Sequence, residues 1–424
     1  MRRLLVLWVH RTVLRVLVRV MGQRARAPRV RRTGPVVSLL MHAYGMGGAT
    51  RSVLNLLGEV AGDRPVELVS IVRKSARPHV PIPAGIDMTV LDDRRRRRSV
   101  LVRASSRVPS VLMHPDDDAY GWFSLYTDVL LVRRVRRVRS GVLMTSRPAV
   151  SILVAQIARP EVAVVVQEHT HLGALAGDLP AALSRAYAAA DVVVLLTERD
   201  REQYDALLDG PLVTAIPNIV TRLAGEPADD RRPVVVAAGR LTRQKGLDLL
   251  VRAFAQVAGR HPDWRVEIYG QGQDRADLTA QIEAAGLADV VTLQGATRQI
   301  GEVLASSAVF ALSSRWEGMP IVVLEAMSKG AAVIAFDCPT GPRELIEHDR
   351  DGLLVPAGDV DGFAAGLERL MSDTDQRRRL GAAARQSAAA YAPDVVGRQW
   401  TGLLDGLLPV TGEDPDISET PVAG

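Results

Sequence analysis

Short β-branched runs alternate with amphipathic stretches from residue 36 to about residue 370. The runs are almost continuously apolar, which is typical of parallel strands that are buried on both faces of a sheet. Between them lie stretches of about ten residues in which apolar positions recur at helical spacing. This pattern predicts an α/β protein with doubly wound parallel sheets of the Rossmann type.

The predicted elements fall into two series along the chain. The strands of the first series are residues 36–41, 66–72, 88–91, 142–145, 162–166, 192–196 and 213–216. The strands of the second series are residues 234–239, 265–270, 290–294, 309–313, 332–336 and 352–355. The helices of the second series are residues 247–258, 275–285, 299–306, 320–329 and 342–347.

A chain of 424 residues is too long for one ordinary core, so two series of elements indicate two domains. We predict Rossmann-like domains at 28–218 and 233–392, joined by the polar, aperiodic linker 219–232. Residues 393–409 have apolar positions at helical spacing and are predicted to form a final helix. The polar residues 410–424 are expected to be disordered.

Residues 1–27 predict a basic amphipathic segment, because Arg11, Arg15 and Arg19 form one stripe of a helix that is otherwise mostly apolar. Two interpretations stay open. The helix lies in the headgroup region of an anionic membrane, or it packs against the first domain. On the membrane interpretation, its removal leaves stability nearly unchanged. A membrane span or a signal peptide fits less well, because charges interrupt the apolar run.

Composition narrows the setting of the protein. The single cysteine, Cys338, excludes an internal disulfide and a cysteine-based zinc site, and it fits a reducing cytosol. The net charge is +5, but arginines are concentrated in the first 140 residues, including the run Arg94 to Arg98. Such runs are usually solvated, and the alternative is attraction to an anionic surface or acceptor polymer. We expect no nucleic-acid partner.

A predicted phosphate site lies where the first strand of the second series ends. Gly239 and Arg240 follow this strand, and Lys245 opens the next helix. Phosphates bind where carboxyl ends of strands meet helix N-termini in α/β sheets. An arginine and a lysine five residues apart can straddle a diphosphate, the former as a planar fork and the latter as a point charge.

Two glutamates eight residues apart follow a later strand. Glu317 lies in the loop before a helix that is predicted to begin at Pro320, and Glu325 falls in its second turn. A carboxylate can accept hydrogen bonds from two vicinal hydroxyls, so this pair is suited to a sugar and a ribose. The alternative is a helix N-terminal charge and a surface residue, but apolar runs flank Glu325.

Together these motifs resemble the donor half of a retaining glycosyltransferase of family 4, which has the GT-B architecture. The segment 337–344 (DCPTGPRE) is similar to relatives that glycosylate cell-envelope polymers, including teichoic-acid glucosyltransferases. The resemblance implies that Glu317 contacts the transferred sugar, that Glu325 contacts the ribose and that the final helix crosses back to the first domain. It also implies a front-face mechanism in which the leaving diphosphate takes the acceptor proton.

A glycine-rich turn, residues 45–51 (GMGGATR), follows the first strand of the first domain. Its Gly47 and Gly48 let backbone approach the reaction centre across the cleft. The turn matches neither the dinucleotide fingerprint nor a P-loop. In the second domain Gly270 and Gly272 follow a strand, and the resemblance makes them walls of the nucleoside site.

The resemblance also places one histidine at a strand end of the first domain, near the anomeric carbon. His169 is the better match and His171 is the alternative. The imidazole would donate a hydrogen bond or support positive charge on the sugar ring. The predicted catalytic residues are thus His169, Arg240, Lys245 and Glu317. The predicted donor-binding residues are Gly47, Gly48, Gly239, Arg240, Lys245, Gly270, Gly272, Glu317, Gly318, Met319, Pro320, Ile321 and Glu325.

Residues 114–118 (HPDDD) contain the carboxylates that a metal-dependent transferase would use. Their position, in an irregular part of the first domain, favours a polar loop or a helix cap. We therefore expect no metal and no cofactor.

The resulting hypothesis is a peripheral or cytoplasmic hexosyltransferase that uses a nucleoside diphosphate sugar, with UDP as the favoured nucleotide. Its expected acceptor is a cell-envelope polysaccharide, a teichoic-type polymer or a lipid-linked glycan. Two alternatives remain. One is a nucleotide-sugar epimerase on the same scaffold, and the other is a catalytically silent, membrane-associated sugar-binding relative.

Overall fold

The computed structural model describes residues 2–22 and 34–408, and within them it contains two α/β domains. The strands of the first domain are β1 (Val36–Leu40), β2 (Val66–Arg73), β3 (Ile86–Asp93), β4 (Val142–Thr145), β5 (Ala163–Gln167), β6 (Val192–Leu195) and β7 (Leu212–Ala215). Its helices are α1 (Arg2–Met21), α2 (Gly48–Val60), α3 (Val100–Arg107), α4 (Leu125–Arg137), α5 (Pro148–Ile157), α6 (Leu179–Tyr187) and α7 (Glu198–Leu207).

The second domain continues the alternation of strands and helices. Its strands are β8 (Arg232–Ala238), β9 (Arg265–Tyr269), β10 (Val291–Gly295), β11 (Ser307–Leu312), β12 (Ala332–Asp337) and β13 (Leu353–Pro356). Its helices are α8 (Leu247–Ala255), α9 (Arg275–Ala284), α10 (Ile300–Ser306), α11 (Ile321–Ser328), α12 (Pro342–Leu345), α13 (Val360–Ser372) and α14 (Thr374–Ala388), and α15 (Pro393–Leu407) ends the described chain.

Each domain has one sheet, and the two sheets repeat the same topology. The strand orders are β3-β2-β1-β4-β5-β6-β7 and β10-β9-β8-β11-β12-β13. All pairings between these named strands are parallel. Strand order reverses between β1 and β4 and again between β8 and β11, which is where doubly wound sheets bind ligands. The predicted fold class is confirmed.

The two domains are connected twice. The segment between β7 and β8 contains no helix or strand, and the Lys329 ammonium donates hydrogen bonds to its Leu223 and Gly225 carbonyls. At the other end α15 packs on α2 in the first domain, where Trp400 is 1% exposed. Arg64 and Asp405 add an ion pair of 2.6 Å at this contact.

Helix α1 packs on the first domain through one face. His10 and Leu14 are buried, and Leu14 belongs to the core on one side of the first sheet. The arginine stripe is divided, because Arg11 pairs with Asp178 of the domain while Arg15 and Arg19 stay exposed. This packing favours the docked interpretation, in which removal of the segment would cost stability. Residues 23–27 and the predicted disordered tail 410–424 lie outside the described residues.

Candidate functional site

The predicted diphosphate motif lies at the point in the second sheet where strand order reverses. A 3₁₀ turn, Arg243–Lys245, follows β8, and Gly246 caps α8 with a left-handed φ of 58°. A Cβ on Gly246 would collide with the Ser313 carbonyl at the end of neighbouring β11, so only glycine fits there. The turn thereby holds Lys245 beside the loop that follows β11.

The cations of this motif have different surroundings. Lys245 donates a hydrogen bond of 2.6 Å from Nζ to Oε1 of Glu317, and the ammonium side chain is largely buried. Arg240 is exposed, and its Nη2 donates a bond of 3.1 Å to Gln244. Gly239 packs against the methylenes of Lys245. The structure thus places one cation on a carboxylate and leaves the other facing solvent.

Glu317 is held from several sides in the loop after β11. It is 6% exposed, and the Ser314 hydroxyl donates a bond of 2.5 Å to the same Oε1 that Lys245 contacts. Its backbone pairs with the segment after β12, because Glu317 N–H donates to the Pro339 carbonyl and Thr340 N–H donates to the Glu317 carbonyl. The carboxylate is therefore fixed in position before any ligand arrives.

Helix α11 begins one residue later than predicted. Pro320 is the residue before the helix, with an extended backbone (φ −74°, ψ 99°), and Ile321 is the first helical residue. Proline fits this position because it cannot donate the N–H that a helix start leaves unpaired. Met319 and Ile321 are almost fully buried, and Met319 belongs to a hydrophobic core cluster of the second domain.

Gly318 marks a contact between the two domains. A Cβ at this position would lie 2.5 Å from the carbonyl oxygen of His169, on the turn after β5 of the first domain. Gly318 is itself approached closely by Gly341, whose φ is 90°. The motif loop of the second domain therefore touches the histidine turn of the first.

His169 lies at this contact and is neutral in the physiological range. Burial lowers the pKa of His169 to about 4. Its Nε2 is buried and has no hydrogen-bond partner in the structure. Of the two predicted roles, a neutral imidazole is better suited to donating a hydrogen bond than to supporting positive charge on the sugar ring. Burial also lowers the pKa of the alternative, His171, which is half-buried.

Glu325 lies in the second turn of α11 and is completely buried. Its Oε1 accepts a bond of 2.5 Å from Nη1 of Arg51, which is on α2 in the first domain. Its Oε2 is buried without a hydrogen-bond partner. The second predicted glutamate therefore faces the interdomain boundary and does not lie on the protein surface.

The predicted glycines differ in what constrains them. Gly270 has a φ of 152°, and a Cβ there would strike the Gly239 carbonyl. A Cβ on Gly272 would strike the Leu241 carbonyl, so these two glycines let the turns after β8 and β9 pack together. In the first domain Gly47 caps α2, and a Cβ on Gly48 would meet no atom within 4 Å.

Residues 222–387 match the family model described as Glycosyl transferases group 1. This part of the chain is therefore similar to group 1 glycosyl transferases. It contains the second sheet with Arg240, Lys245, Glu317 and Glu325.

Solved structures share the two-domain arrangement. The chain is similar to S. aureus TarM in complex with Fondaparinux, α-GlcNAc-glycerol and UDP, with a TM-score of 0.73 and 15% identity over 88% of this chain and 99% of TarM. It is also similar to Anabaena HepE in complex with UDP and glucose, with a TM-score of 0.68 and 17% identity over 88% and 99% of the two chains. The chain has the GT-B fold.

Curated relatives are longer than the matched region. An exopolysaccharide phosphotransferase of Streptomyces coelicolor is 31% identical over 386 residues, which are 88% of this chain and 41% of that protein. The amylovoran biosynthesis glycosyltransferase AmsD of Erwinia amylovora is 31% identical over 226 residues, 52% of this chain and 63% of AmsD. The chain thus spans less than two thirds of either relative.

The sequence predictions gave no role to the residues through which the first domain reaches the site. Arg51 was quoted only as the end of the glycine-rich turn, yet it contacts Glu325. Asn218 donates a bond of 2.9 Å to the Met319 carbonyl, and Asp200 accepts one of 3.1 Å from Thr340. Of these residues, only Arg51 could have been found from the sequence, because it ends the glycine-rich turn at the start of a helix and a cation there is expected to face the cleft.

The acidic loop, residues 114–118, has structural partners. Asp116 pairs with Arg3 of α1, and Asp117 pairs with Arg147. Asp117 also accepts a bond of 3.1 Å from Ala149 N–H in the first turn of α5, as a helix cap does. These contacts tie α1 and α5 to the loop.

A cavity lies in the second domain between the end of β12 and the segment after α14. It has a volume of about 1060 Å³, and its lining includes Arg343, Glu344, His348 and Asp351. Glu344 closes one side, because its carboxylate accepts hydrogen bonds from Glu198 and Arg199 N–H at the start of α7. None of Lys245, Glu317 and Glu325 lines it.

Proposed function

We propose that the chain is a retaining hexosyltransferase that moves a hexose from a UDP-sugar to a cell-envelope acceptor. The observation that carries the proposal is the Lys245–Glu317 pair at the reversal point of the second sheet, with Arg240 exposed beside it. This arrangement offers a fixed carboxylate that can bind sugar hydroxyls. It also offers two cations, five residues apart in the chain, that can bind a diphosphate.

In this proposal the protein stabilises the departure of the diphosphate. Arg240 and Lys245 neutralise the charge that grows on the leaving oxygen, while Glu317 holds the hexose and Glu325 holds the ribose. The bond from the anomeric carbon to the diphosphate breaks, and a bond to the acceptor oxygen forms on the same face. The acceptor proton passes to the leaving diphosphate, so no enzyme nucleophile or metal is required.

The first domain completes the proposed site from across the cleft. His169 is neutral and has an unpartnered Nε2, so it is suited to a hydrogen bond with a sugar hydroxyl. Gly47 and Gly48 leave open space where backbone can approach the sugar. Gly270, Gly272 and the segment 318–321 that leads into α11 would enclose the nucleoside and diphosphate.

Similar proteins support the donor and the acceptor class. The TarM and HepE structures both contain UDP, and AmsD belongs to amylovoran biosynthesis. We therefore propose UDP as the nucleotide and a polysaccharide, a teichoic-type polymer or a lipid-linked glycan as the acceptor.

A panel of labelled nucleotide sugars tests this function. Nucleoside diphosphate release is measured for each donor with and without glycerol-phosphate polymers, exopolysaccharides and lipid-linked glycans. We expect a UDP-hexose to be consumed faster when the correct acceptor is present, with label appearing in the acceptor. Conversion of the donor to its epimer without acceptor would indicate the epimerase alternative. Binding of donors without turnover of any would indicate a silent relative.

We further propose a peripheral location on the inner face of the plasma membrane. None of the helices in the described part of the chain combines the length and apolarity that crossing a bilayer requires. The outward face of α1 exposes Leu4, Trp8 and Val16 at 72%, 64% and 58%, with Arg15 and Arg19 beside them. Aromatic and aliphatic side chains mixed with arginines suit the headgroup region of an anionic leaflet.

A further inference from the structure

Arg51 joins the two domains at the buried end of the proposed donor site. It lies in the first turn of α2, directly after the glycine-rich turn, and its side chain crosses to α11. The bond from Arg51 Nη1 to Glu325 Oε1 measures 2.5 Å. The arginine side chain is 27% exposed and the glutamate side chain 1%, so the pair lies at the inner edge of the cleft.

Glu325 depends on this contact for its charge balance. A buried carboxylate is costly unless a cation or several hydrogen bonds compensate it. The lysines of this region have other partners. Lys245 contacts Glu317, and Lys329 contacts carbonyls of the linker. Within residues 2–22 and 34–408, the ion pair found for Glu325 is the one with Arg51.

The two oxygens of Glu325 are not equivalent. Oε1 is occupied by Arg51, whereas Oε2 is buried and without a partner. A buried acceptor without a donor is rare in folded proteins and marks a place that a ligand or water completes. A carboxylate has about four acceptor positions, so a guanidinium on one oxygen leaves the other for ribose hydroxyls.

We propose that Arg51 is a positioning residue for the donor. It orients the Glu325 carboxylate so that Oε2 meets the ribose hydroxyls, and it does so from the opposite domain. Donor binding is thereby coupled to the closed arrangement of the domains, because the ribose ligand is correctly placed only when Arg51 reaches it. This inference rests on the proposed assignment of Glu325 to the ribose.

A rival arrangement has the opposite consequence. If Arg51 were a latch that occupies the position of the ribose, its removal would free Glu325 and strengthen donor binding. If Arg51 positions Glu325, its removal leaves a buried carboxylate uncompensated and weakens donor binding. The sign of the change in affinity therefore separates the two.

Binding of UDP and of 2′,3′-dideoxy-UDP tests the proposal, because the second ligand lacks the ribose hydroxyls. Titration calorimetry on the full chain compares wild type with Arg51→Ala, Arg51→Lys and Glu325→Gln. The wild type should prefer UDP by about tenfold or more. Arg51→Ala should bind UDP about tenfold more weakly and dideoxy-UDP almost unchanged, and Arg51→Lys should fall between. In turnover, the donor KM should rise more than kcat falls.

A matched control separates positioning from general loosening of the domains. Asn55 lies one turn further along α2 and contacts the linker at Ile219 and Thr221, not Glu325. Asn55→Ala should keep the preference for UDP. Thermal melts of all variants establish that they are folded, and Arg51→Lys retains the charge if Arg51→Ala is unstable.

The double variant gives the sharpest outcome. Because Arg51 acts through Glu325, adding Arg51→Ala to Glu325→Gln should not reduce UDP affinity further. Additive losses, or an Arg51→Ala variant that binds UDP as tightly as wild type, would overturn the role of Arg51. If Glu325→Gln keeps the full preference for UDP, the ribose assignment itself is wrong and the role of Arg51 falls with it.

Discussion

Lys245 and Glu317 are 72 residues apart in the chain, and their Nζ and Oε1 atoms are joined by a hydrogen bond of 2.6 Å. The pair forms because the carboxyl ends of β8 and β11 are neighbours in the sheet. The Ser314 hydroxyl reaches the same oxygen, so Oε1 is saturated by protein donors. A ligand can therefore bind to the second carboxylate oxygen of Glu317 and to the remaining N–H bonds of Lys245.

We predict that Lys245→Ala lowers kcat/KM by roughly two to three orders of magnitude. The loss of one preorganised charge contact to a developing anion costs about 2.7–4 kcal/mol in comparable sites. Arg240→Ala should have a similar effect on turnover. Steady-state kinetics with the best donor of the panel measures both.

The neighbouring Arg243 is an exposed cation of the same turn and provides the control. Arg243→Ala should retain activity within a fewfold of wild type. Near-normal rates in a folded Lys245→Ala protein would rule out its assignment to the diphosphate.

The fold and the positions of the proposed donor motif could be predicted from the sequence because their signals are local. Buried parallel strands are continuous apolar runs, and predicted boundaries lie within about two residues of the observed ones for most strands. For β3 both ends differ by two residues, since residues 88–91 were predicted and Ile86–Asp93 are observed. Flanking polar residues conceal the ends of this edge strand. Helices α13 and α14 were not singled out.

The contacts between domains were not accessible in this way. The pairing of Arg51 with Glu325 depends on how one domain is oriented on the other, and no periodicity encodes that. The sequence also could not show which face of α1 packs on the first domain, because its apolar residues cover more than one face. The buried His10, which stacks edge-on against His114, selects the face that packs.

Stability should depend on pH through Glu168 at the end of β5. Burial raises the pKa of this carboxyl to about 8, and the Tyr187 hydroxyl donates to its Oε1. Between about pH 4.5 and 8 the folded protein holds a proton that the unfolded chain releases, so this group's contribution declines as pH rises. The slope from one such group is up to about 1.4 kcal/mol per pH unit.

We therefore predict that Glu168→Gln flattens the decline of unfolding free energy toward alkaline pH. Urea unfolding from pH 5 to 9 measures the slope, and Glu161→Gln, at an exposed site just before β5, is the control. Equal slopes for wild type and Glu168→Gln would contradict the raised pKa. His10 and His169, whose pKa burial lowers to about 4, act in the opposite sense: their contribution is lost as pH falls from 6.5 to about 4.

The outward face of α1 should bind anionic membranes reversibly. Replacing the exposed Trp8 and Leu4 with serine should reduce flotation with anionic liposomes and leave the melting temperature unchanged. Each basic side chain near such a surface contributes about 1 kcal/mol, so binding should weaken in salt. Leu212→Ser, at an exposed leucine of β7, should have no effect.

The inward face of α1 should instead govern stability. Leu14→Ala should destabilise the protein by about 2 kcal/mol, since Leu14 is 8% exposed in the core of the first domain. Deletion of residues 1–22 should also lower the melting temperature. A full-length protein that ignores anionic liposomes at low salt would exclude the membrane proposal, whatever the effect of Leu14→Ala.

Turnover should survive a chelator. The positive charge of the proposed site comes from Arg240, Lys245 and the start of α11. The candidate metal ligands Asp116 and Asp118 already pair with Arg3 and Arg147. Rates measured with excess EDTA should match untreated enzyme. Loss of activity with recovery on added magnesium or manganese would refute the metal-independent mechanism.

The stereochemistry of donor turnover tests the central claim most directly. An α-linked UDP-hexose is incubated with the enzyme, with the acceptor found in the panel or with water alone, and the anomeric proton of the first product is followed by NMR. The account predicts that the product forms as the α-anomer before any mutarotation, together with UDP. Initial appearance of the β-anomer, or no UDP release from any donor, would contradict it.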